Sequence, residues 1–155
     1  MIQNISMENI TIRESTYDDI QSLLELLYEL GRPKPQKDNE LETFTKLLKT
    51  YMQEDNKKIL VAEIENSKIV GMVSIVFLSR LNQNTSEMYV PELIVSQNYH
   101  SKGIGKKLLN FSIKLGKEKK CHRMRLESGN QRIESHKFYK HLGFEDSSIF
   151  FTKNL

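Results

Sequence analysis

The stretch Leu93-Ile-Val-Ser-Gln-Asn-Tyr-His-Ser-Lys-Gly-Ile-Gly-Lys-Lys-Leu-Leu109 constrains the fold of this chain more than any other. Leu93, Ile94 and Val95 read as an apolar strand, Ser96 to Lys102 as a polar turn, and Gly103-Ile-Gly105 as the opening of a helix. A strand that runs through a glycine-containing turn into a helix start makes an anion site. The first N–H groups of the helix have no intrahelical partner, and the aligned peptide dipoles favour negative charge there. Gly103 and Gly105 carry no Cβ, so a phosphate can come close to the backbone of Ser101 to Gly105. Lys102 and Lys106 add positive charge suited to a polyphosphate.

Strand and helix patterns alternate around this unit. Ile10 to Arg13 reads as a short strand, and Thr16-Tyr-Asp-Asp places a capping residue and first-turn acids before Ile20, Leu23, Leu24 and Leu27 at helical spacing. Gly31-Arg-Pro-Lys-Pro-Gln is a loop, and a second helix runs from about Asn39 to Gln53 with Leu41, Phe44, Leu47, Leu48 and Met52 on one face. Ile59 to Ile64 and Ile69 to Leu78 form a hairpin through Glu65-Asn-Ser-Lys68, and Glu87 to Val95 is the next strand. A helix from Gly103 to about Lys119 follows, then a strand at Arg123 to Glu127, a helix at Ile133 to Leu142 closed by Gly143, and a final strand at Ile149 to Thr152. This order predicts an α/β fold of the α+β kind, a central mixed and mostly antiparallel sheet with helices on both faces. At 155 residues the expectation is one domain, 1–155, with its core over about 9–153.

Composition excludes several alternatives. Hydrophobic residues at 38% and charged residues at 28% are ordinary for a soluble globular protein. No apolar run approaches the ~20 residues of a membrane span. Met1-Ile-Gln-Asn-Ile-Ser lacks the basic flank and apolar core of a signal peptide, and the single Cys121 excludes an internal disulfide; the expected location is the cytoplasm. Cys121 reads as a packing residue beside a strand rather than an acyl-carrying nucleophile. Lys114, Lys117, Lys119 and Lys120 read as a solvated helix face; apart from Phe111 no aromatic interleaves with the lysines, so no nucleic-acid partner is expected. The histidines show no metal-ligand spacing, and no metal is expected.

His100-Ser-Lys-Gly103-Ile-Gly105 resembles the Arg/Gln-x-x-Gly-x-Gly/Ala segment of the GNAT superfamily of acyl-CoA-dependent N-acetyltransferases. Downstream, Phe138-Tyr139-Lys-His-Leu-Gly143-Phe144 is similar to the family's Phe-Tyr-x-x-x-Gly-Phe segment, and the order of elements agrees over nearly the whole chain. A narrower resemblance, carried by Glu92-Leu-Ile-Val, Ser135-His-Lys-Phe-Tyr139 and Phe151-Thr-Lys-Asn-Leu155, is to bacterial small-amine acetyltransferases of the aminoalkylphosphonate and aminoglycoside 6′ types.

The resemblance implies acetyl-CoA as acyl donor, its pyrophosphate held by residues 100 to 106, its pantetheine arm paired with the backbone of Leu93, Ile94 and Val95, and Asn130 as a further hydrogen-bond partner of that arm. It implies Tyr139 as the proton donor to the departing thiolate. It places the base that takes the amine's proton at Glu92, eight residues before His100, or Glu87, thirteen before it; strand alternation alone does not choose, and Glu92 is favoured. Pro91 cannot donate to a ladder, so it marks either a bulge or an edge. His100 stands where the family carries Arg or Gln, which shifts phosphate recognition towards backbone amides. The function expected is acetyl transfer to the primary amine of a small molecule in a ternary complex. The alternatives are a protein-lysine, peptide or N-terminal acceptor, or a non-catalytic acyl-CoA-binding regulatory module. The resemblance also implies a homodimer, with strand exchange at the final strand.

Overall fold

The computed structural model describes residues 9–155, so the expectations drawn for Met1 to Ser6, and for the first eight residues of the domain, lie outside it. Strand β1 (Thr11–Glu14) leads into a 3-10 turn at Tyr17–Asp19 and helix α1 (Ile20–Glu29); helix α2 (Asp38–Gln53) follows. Strands β2 (Lys57–Ile64), β3 (Lys68–Ser79), β4 (Ser86–Val90) and β5 (Leu93–Val95) precede helix α3 (Ile104–Glu118), strand β6 (Arg123–Leu126) and helix α4 (Ile133–His141). The chain forms two compact units, one extending to Arg125 and the other Leu126–Leu155.

The sheet has six strands in the order β1-β2-β3-β4-β6, with β5 paired to β3. The pairs β1·β2, β2·β3, β3·β4 and β3·β5 are antiparallel, and the α/β fold with its mixed sheet is the one expected. Thr16 starts the first helical segment as expected: its N–H donates to Asp19 Oδ2 at 2.7 Å. The same carboxylate takes both Nη1 and Nη2 of Arg13, at 2.8 and 2.9 Å, which fastens the helix start to β1.

Alternation along β3 assigns the two faces. Met72 packs with Leu23 and Leu26 of α1 and with Ile59, Val61 and Ile94. Gly71 lies on the other face, where an added Cβ would meet Leu108 and Ile104 of α3 at 3.2 and 3.3 Å. Helices therefore cover both faces, α1 and α2 on one and α3 on the other. Each fully buried Leu, Ile or Met side chain contributes about 1.5–3 kcal/mol. On α2 the packed residues are Leu48, Tyr51 and Met52, whereas Leu41 and Leu47 are exposed, against expectation. Leu47 sits one residue, about 100°, round from Leu48 and turns to solvent.

Two expectations for the strands are corrected. Glu87 to Val95 is two strands rather than one. Ile149 to Thr152 forms no strand: the residues after α4 have no regular structure, and Ile149, Phe150 and Phe151 are exposed. A short run of β-branched and aromatic residues becomes a strand only where an edge receives it, and among the described residues no pairing involves this segment.

Candidate functional site

The break between β4 and β5 is a β-bulge. Val76 pairs with Tyr89 and Val73 with Leu93. Between those pairs β3 supplies two residues, Ser74 and Ile75, and the facing strand three, Val90, Pro91 and Glu92. Pro91, with no N–H to offer, occupies the extra position, so of the two sequence readings the bulge holds. β4 is then left to pair with β6, while β5 pairs with β3.

The bulge decides what each backbone group of β5 faces. Ser74 N–H bonds the Glu92 carbonyl at 2.9 Å, and Ser96 N–H bonds the Val70 carbonyl at 2.8 Å. In an antiparallel ladder the residues between alternate, so Leu93 and Val95 turn their N–H and C=O groups away from β3. The chain then enters a turn held by Glu29 of α1, which accepts from the Ser96 hydroxyl at 3.2 Å and from Gln97 N–H at 3.0 Å. Ser101 (φ 60) and Gly103 (φ 74) adopt left-handed conformations just before α3. The Gly103 carbonyl accepts the Lys107 N–H at 3.0 Å, so the amides of Ile104, Gly105 and Lys106 precede the first intrahelical donor. Lys102 is half-buried and Lys106 exposed. His100 is exposed and turns back: its Nε2 lies 2.7 Å from the Val95 carbonyl, which can only accept, so Nε2 is the donor.

The same bulge places Glu92 on the α1/α2 face. Its N–H donates to Ser74 Oγ at 3.0 Å, the Ser74 hydroxyl donates to its Oε2, and Arg32 Nη2 donates to its Oε1 at 2.9 Å. The Glu92 side chain keeps 20% exposure and Arg32 keeps 53%. Tyr51 of α2 donates to the Ile75 carbonyl at 3.0 Å. Burial, and then the nearby Glu92 charge, push its phenol well above the ordinary range, so it stays protonated.

Glu87, the other candidate base, sits opposite Leu78 on β3 and is fully buried. It accepts from Arg123 Nε at 2.6 Å and from Arg125 Nε, and Arg125 in turn lies over the Tyr89 ring at 4.5 Å. Burial raises its pKa, but the hydrogen bonds from Arg125 and Arg123 outweigh that and hold the carboxyl below its ordinary range. Glu87 is thus an ionised anchor between two guanidinium groups. Burial also pushes the Cys121 thiol up, against a smaller opposing effect of Lys119, which leaves it an unactivated packing residue.

In the C-terminal unit, Tyr139 on α4 packs against Phe138 and Phe144 with ring centroids 5.3 and 5.8 Å away. Burial raises its pKa above the usual value of a phenol, with Arg132 acting weakly in the other direction. Asn130 is exposed in the turn after β6, and His136 fastens that turn through Nε2 to the Gly129 carbonyl at 2.9 Å.

Sequence reasoning missed Ser74, Tyr51 and the pairing of Arg32 with Glu92. Ser74 had a signal: it is the one hydroxyl inside the run Met72-Val-Ser-Ile-Val-Phe77. Tyr51 reads as one more residue of an amphipathic face.

The family model for the acetyltransferase (GNAT) family matches residues 18–144, a span that includes parts of both units. An N-acetyltransferase of Methanocaldococcus jannaschii is 28% identical, over 95% of this chain and 68% of the other. The aminoalkylphosphonate N-acetyltransferase of Salmonella typhimurium is 25% identical, over 93% of this chain and 90% of that one. Among solved structures, that of a transcriptional regulator from Bacillus halodurans superposes with a TM-score of 0.85 at 26% identity, covering 94% of this chain and 99% of that one.

Proposed function

The chain belongs to the acetyltransferase (GNAT) family, and from that premise we propose that it carries an acetyl group from acetyl-CoA to the primary amine of a small molecule, by direct attack in a ternary complex. One observation carries the reading. A single bulge sets a carboxylate, Glu92, immediately before a strand whose outward backbone groups belong to Leu93 and Val95, and that strand runs through the turn into the uncapped amides of α3. A base and two stretches of coenzyme-binding backbone thus follow one another within about a dozen residues. The pantetheine arm pairs with the outward groups of Leu93 and the N–H of Val95 as an added strand, the Val95 carbonyl being held by His100. The pyrophosphate lies on the amides of Ser101 to Gly105 with Lys102 and Lys106 beside it.

Glu92 removes a proton from the acceptor's ammonium, directly or through one water. The freed nitrogen attacks the thioester carbonyl and becomes cationic; the C–S bond breaks and the electron pair leaves on sulfur. The nitrogen releases its second proton to solvent, and Glu92 returns its own proton to solvent. Tyr139, held protonated by burial, gives its proton to that thiolate and recovers one from solvent, so the products are an amide and coenzyme A. No acyl-enzyme forms, since Cys121 is not activated. Glu87 positions β6 against β4 through its two arginines and takes no proton from the amine. Residues 1–155 act as one acetyltransferase domain. The similarity to an aminoalkylphosphonate N-acetyltransferase supports a small acceptor.

The test is thiol release from acetyl-CoA with a panel of primary amines, comparing the parent with Tyr139→Phe. Turnover with at least one small amine, lowered about tenfold or more in the variant, is expected. Absence of turnover with every amine would refute the reading, and an unimpaired variant would remove Tyr139 from it.

A further inference from the structure

Arg32 is held in place with unusual care for a loop residue. Helix α1 ends in a Schellman motif: Gly31, at φ 94, donates its N–H to the Tyr28 carbonyl at 3.0 Å, and Arg32 donates its own to the Leu27 carbonyl at 3.0 Å. The left-handed position suits glycine, and it aims the next residue across the sheet face. From there the Arg32 guanidinium reaches Glu92, while its side chain remains half-exposed.

A half-exposed ion pair adds little to stability. Its chemical form is more informative. Both Glu92 oxygens hold a donor, Arg32 on Oε1 and Ser74 on Oε2. The hydroxyl is fixed by the bulge, so the Arg32 bond is the one an arriving ammonium can replace. A guanidinium drawn off its carboxylate seeks another planar anion, for which its fork of donors is shaped. The other carboxylates recorded around this face have donors of their own: Glu87 holds Arg123 and Arg125, Glu29 holds Ser96 and Gln97, and Glu54 holds Lys57. The anion has to come with the acceptor.

We propose that the Arg32–Glu92 pair is the resting form of a site for a zwitterionic acceptor: a small amine carrying a carboxylate, phosphonate or phosphate group, whose ammonium takes Glu92 while its anion takes Arg32. The inference rests on the acetyl-transfer reading above for the role of Glu92, and it adds the class of acceptor and the residue that selects it. Arg32 exchanges one anionic partner for another, so neither charge is left unpaired as the acceptor binds. A neutral alkylamine would have to compete with Arg32 for Glu92 and leave the guanidinium without a partner.

The experiment uses matched acceptors: glycine, β-alanine and 4-aminobutyrate, their phosphonate counterparts, and alkylamines of equal chain length. Turnover with acetyl-CoA is measured as kcat/KM, and binding by calorimetry in the presence of coenzyme A, for the parent, Arg32→Gln, Arg32→Lys and Arg32→Glu. The parent is expected to favour the best acid-bearing amine over its neutral match by at least about tenfold, or ~1.4 kcal/mol. Arg32→Gln should bring that ratio near one, Arg32→Lys should restore part of it, and Arg32→Glu should shift preference to a diamine. Thermal melting confirms that each variant is folded. Equal use of acidic and neutral amines by the parent, or a ratio unmoved in Arg32→Gln, overturns the inference while leaving acetyl transfer intact. If nothing turns over, the binding ratio still decides: a preference lost in Arg32→Gln supports the site and refutes only the transfer reading, and no preference refutes both.

Discussion

Ser74 and Glu92 hold each other through backbone and side chain at once: the serine Oγ accepts the Glu92 N–H at 3.0 Å and donates its own proton to the Glu92 carboxylate. The bulge makes this possible, because the extra residue at Pro91 brings Glu92 opposite a buried serine in the middle of β3. Two variants separate the base from the group that orients it. Glu92→Gln keeps the shape and a weak acceptor but cannot take a proton, so kcat/KM for an amine should fall about 100-fold or more near neutral pH. The deficit should shrink as pH rises towards the amine's own pKa of about 9–10, where free amine no longer needs a base. Ser74→Ala leaves the carboxylate chemically able but less fixed. Its loss should be smaller, about tenfold, with a KM for acetyl-CoA close to that of the parent. Steady-state pH profiles of both variants check this, and a Glu92→Gln deficit independent of pH would argue against a base.

Burial raises the Tyr139 phenol above its ordinary value, so the proton needed by the thiolate is retained through and beyond neutral pH. The alkaline limb of kcat arising from this group is therefore expected above about pH 10. Tyr139→Phe should lower kcat about ten- to a hundredfold and abolish that limb, with little change in the KM of the amine. A kcat profile that falls at about pH 8 in the parent, and identically in Tyr139→Phe, would assign the limb to another group.

Acid should act on folding through Asp19 and Glu87. Hydrogen bonds from Arg13 hold the Asp19 carboxyl below its ordinary range despite burial, and for Glu87 the arginine bonds outweigh the burial that would raise it. A carboxyl with a depressed folded-state pKa stabilises the fold fully above its unfolded value and loses that contribution as pH falls through the folded one. Melting temperature should therefore be flat from about pH 7 to about pH 5 and drop below about pH 4. Asp19→Asn should lower stability near neutral pH by about 2 kcal/mol, less than the ~3–5 of a fully buried pair because Arg13 is partly exposed. It should also flatten the acid drop, as followed by circular dichroism melts across pH.

How much of this was legible in the sequence follows from how local each feature is. The strand, turn and helix from Leu93 to Leu109 were readable because every signal lies within one short segment: apolar run, polar turn, glycines, helical spacing. Pro91 announced an irregularity because its missing N–H acts wherever it sits, but whether bulge or edge depended on β3, many residues away. Arg32 and Glu92 are 60 positions apart, and nothing in Gly31-Arg-Pro says where the guanidinium will land. Glu87 and Glu92 looked alike as strand glutamates; one became a buried anchor and the other a half-open carboxylate only once β6 supplied two arginines. Ile149 to Thr152 has the β-branched and aromatic residues of a strand, but among the described residues no edge pairs with it.

The last test reaches the coenzyme site through packing alone. Gly71 on β3 lies under α3, where an added methyl would sit 3.2 Å from the Ile94 carbonyl, 3.2 Å from Leu108 Cδ1 and 3.3 Å from Ile104 Cγ2. All three contacts belong to the elements proposed to carry the coenzyme, since Ile94 is central in β5, Ile104 opens α3 and Leu108 lies one turn further along it. Leu108 can turn its side chain aside; the Ile94 carbonyl is backbone and cannot. Gly71→Ala should therefore lower stability by about 1–3 kcal/mol through overpacking, and move β5 and the start of α3 apart by a few tenths of an ångström. Acetyl-CoA affinity by calorimetry should fall about three- to tenfold, or ~0.7–1.4 kcal/mol, with the amine's KM less affected. Leu108→Ala added to Gly71→Ala would open space on the helix side but not at the carbonyl, so it should recover only part of the coenzyme affinity. Full recovery would place the strain on α3 alone, and unchanged affinity in the single variant would show that this close approach does not shape the coenzyme site.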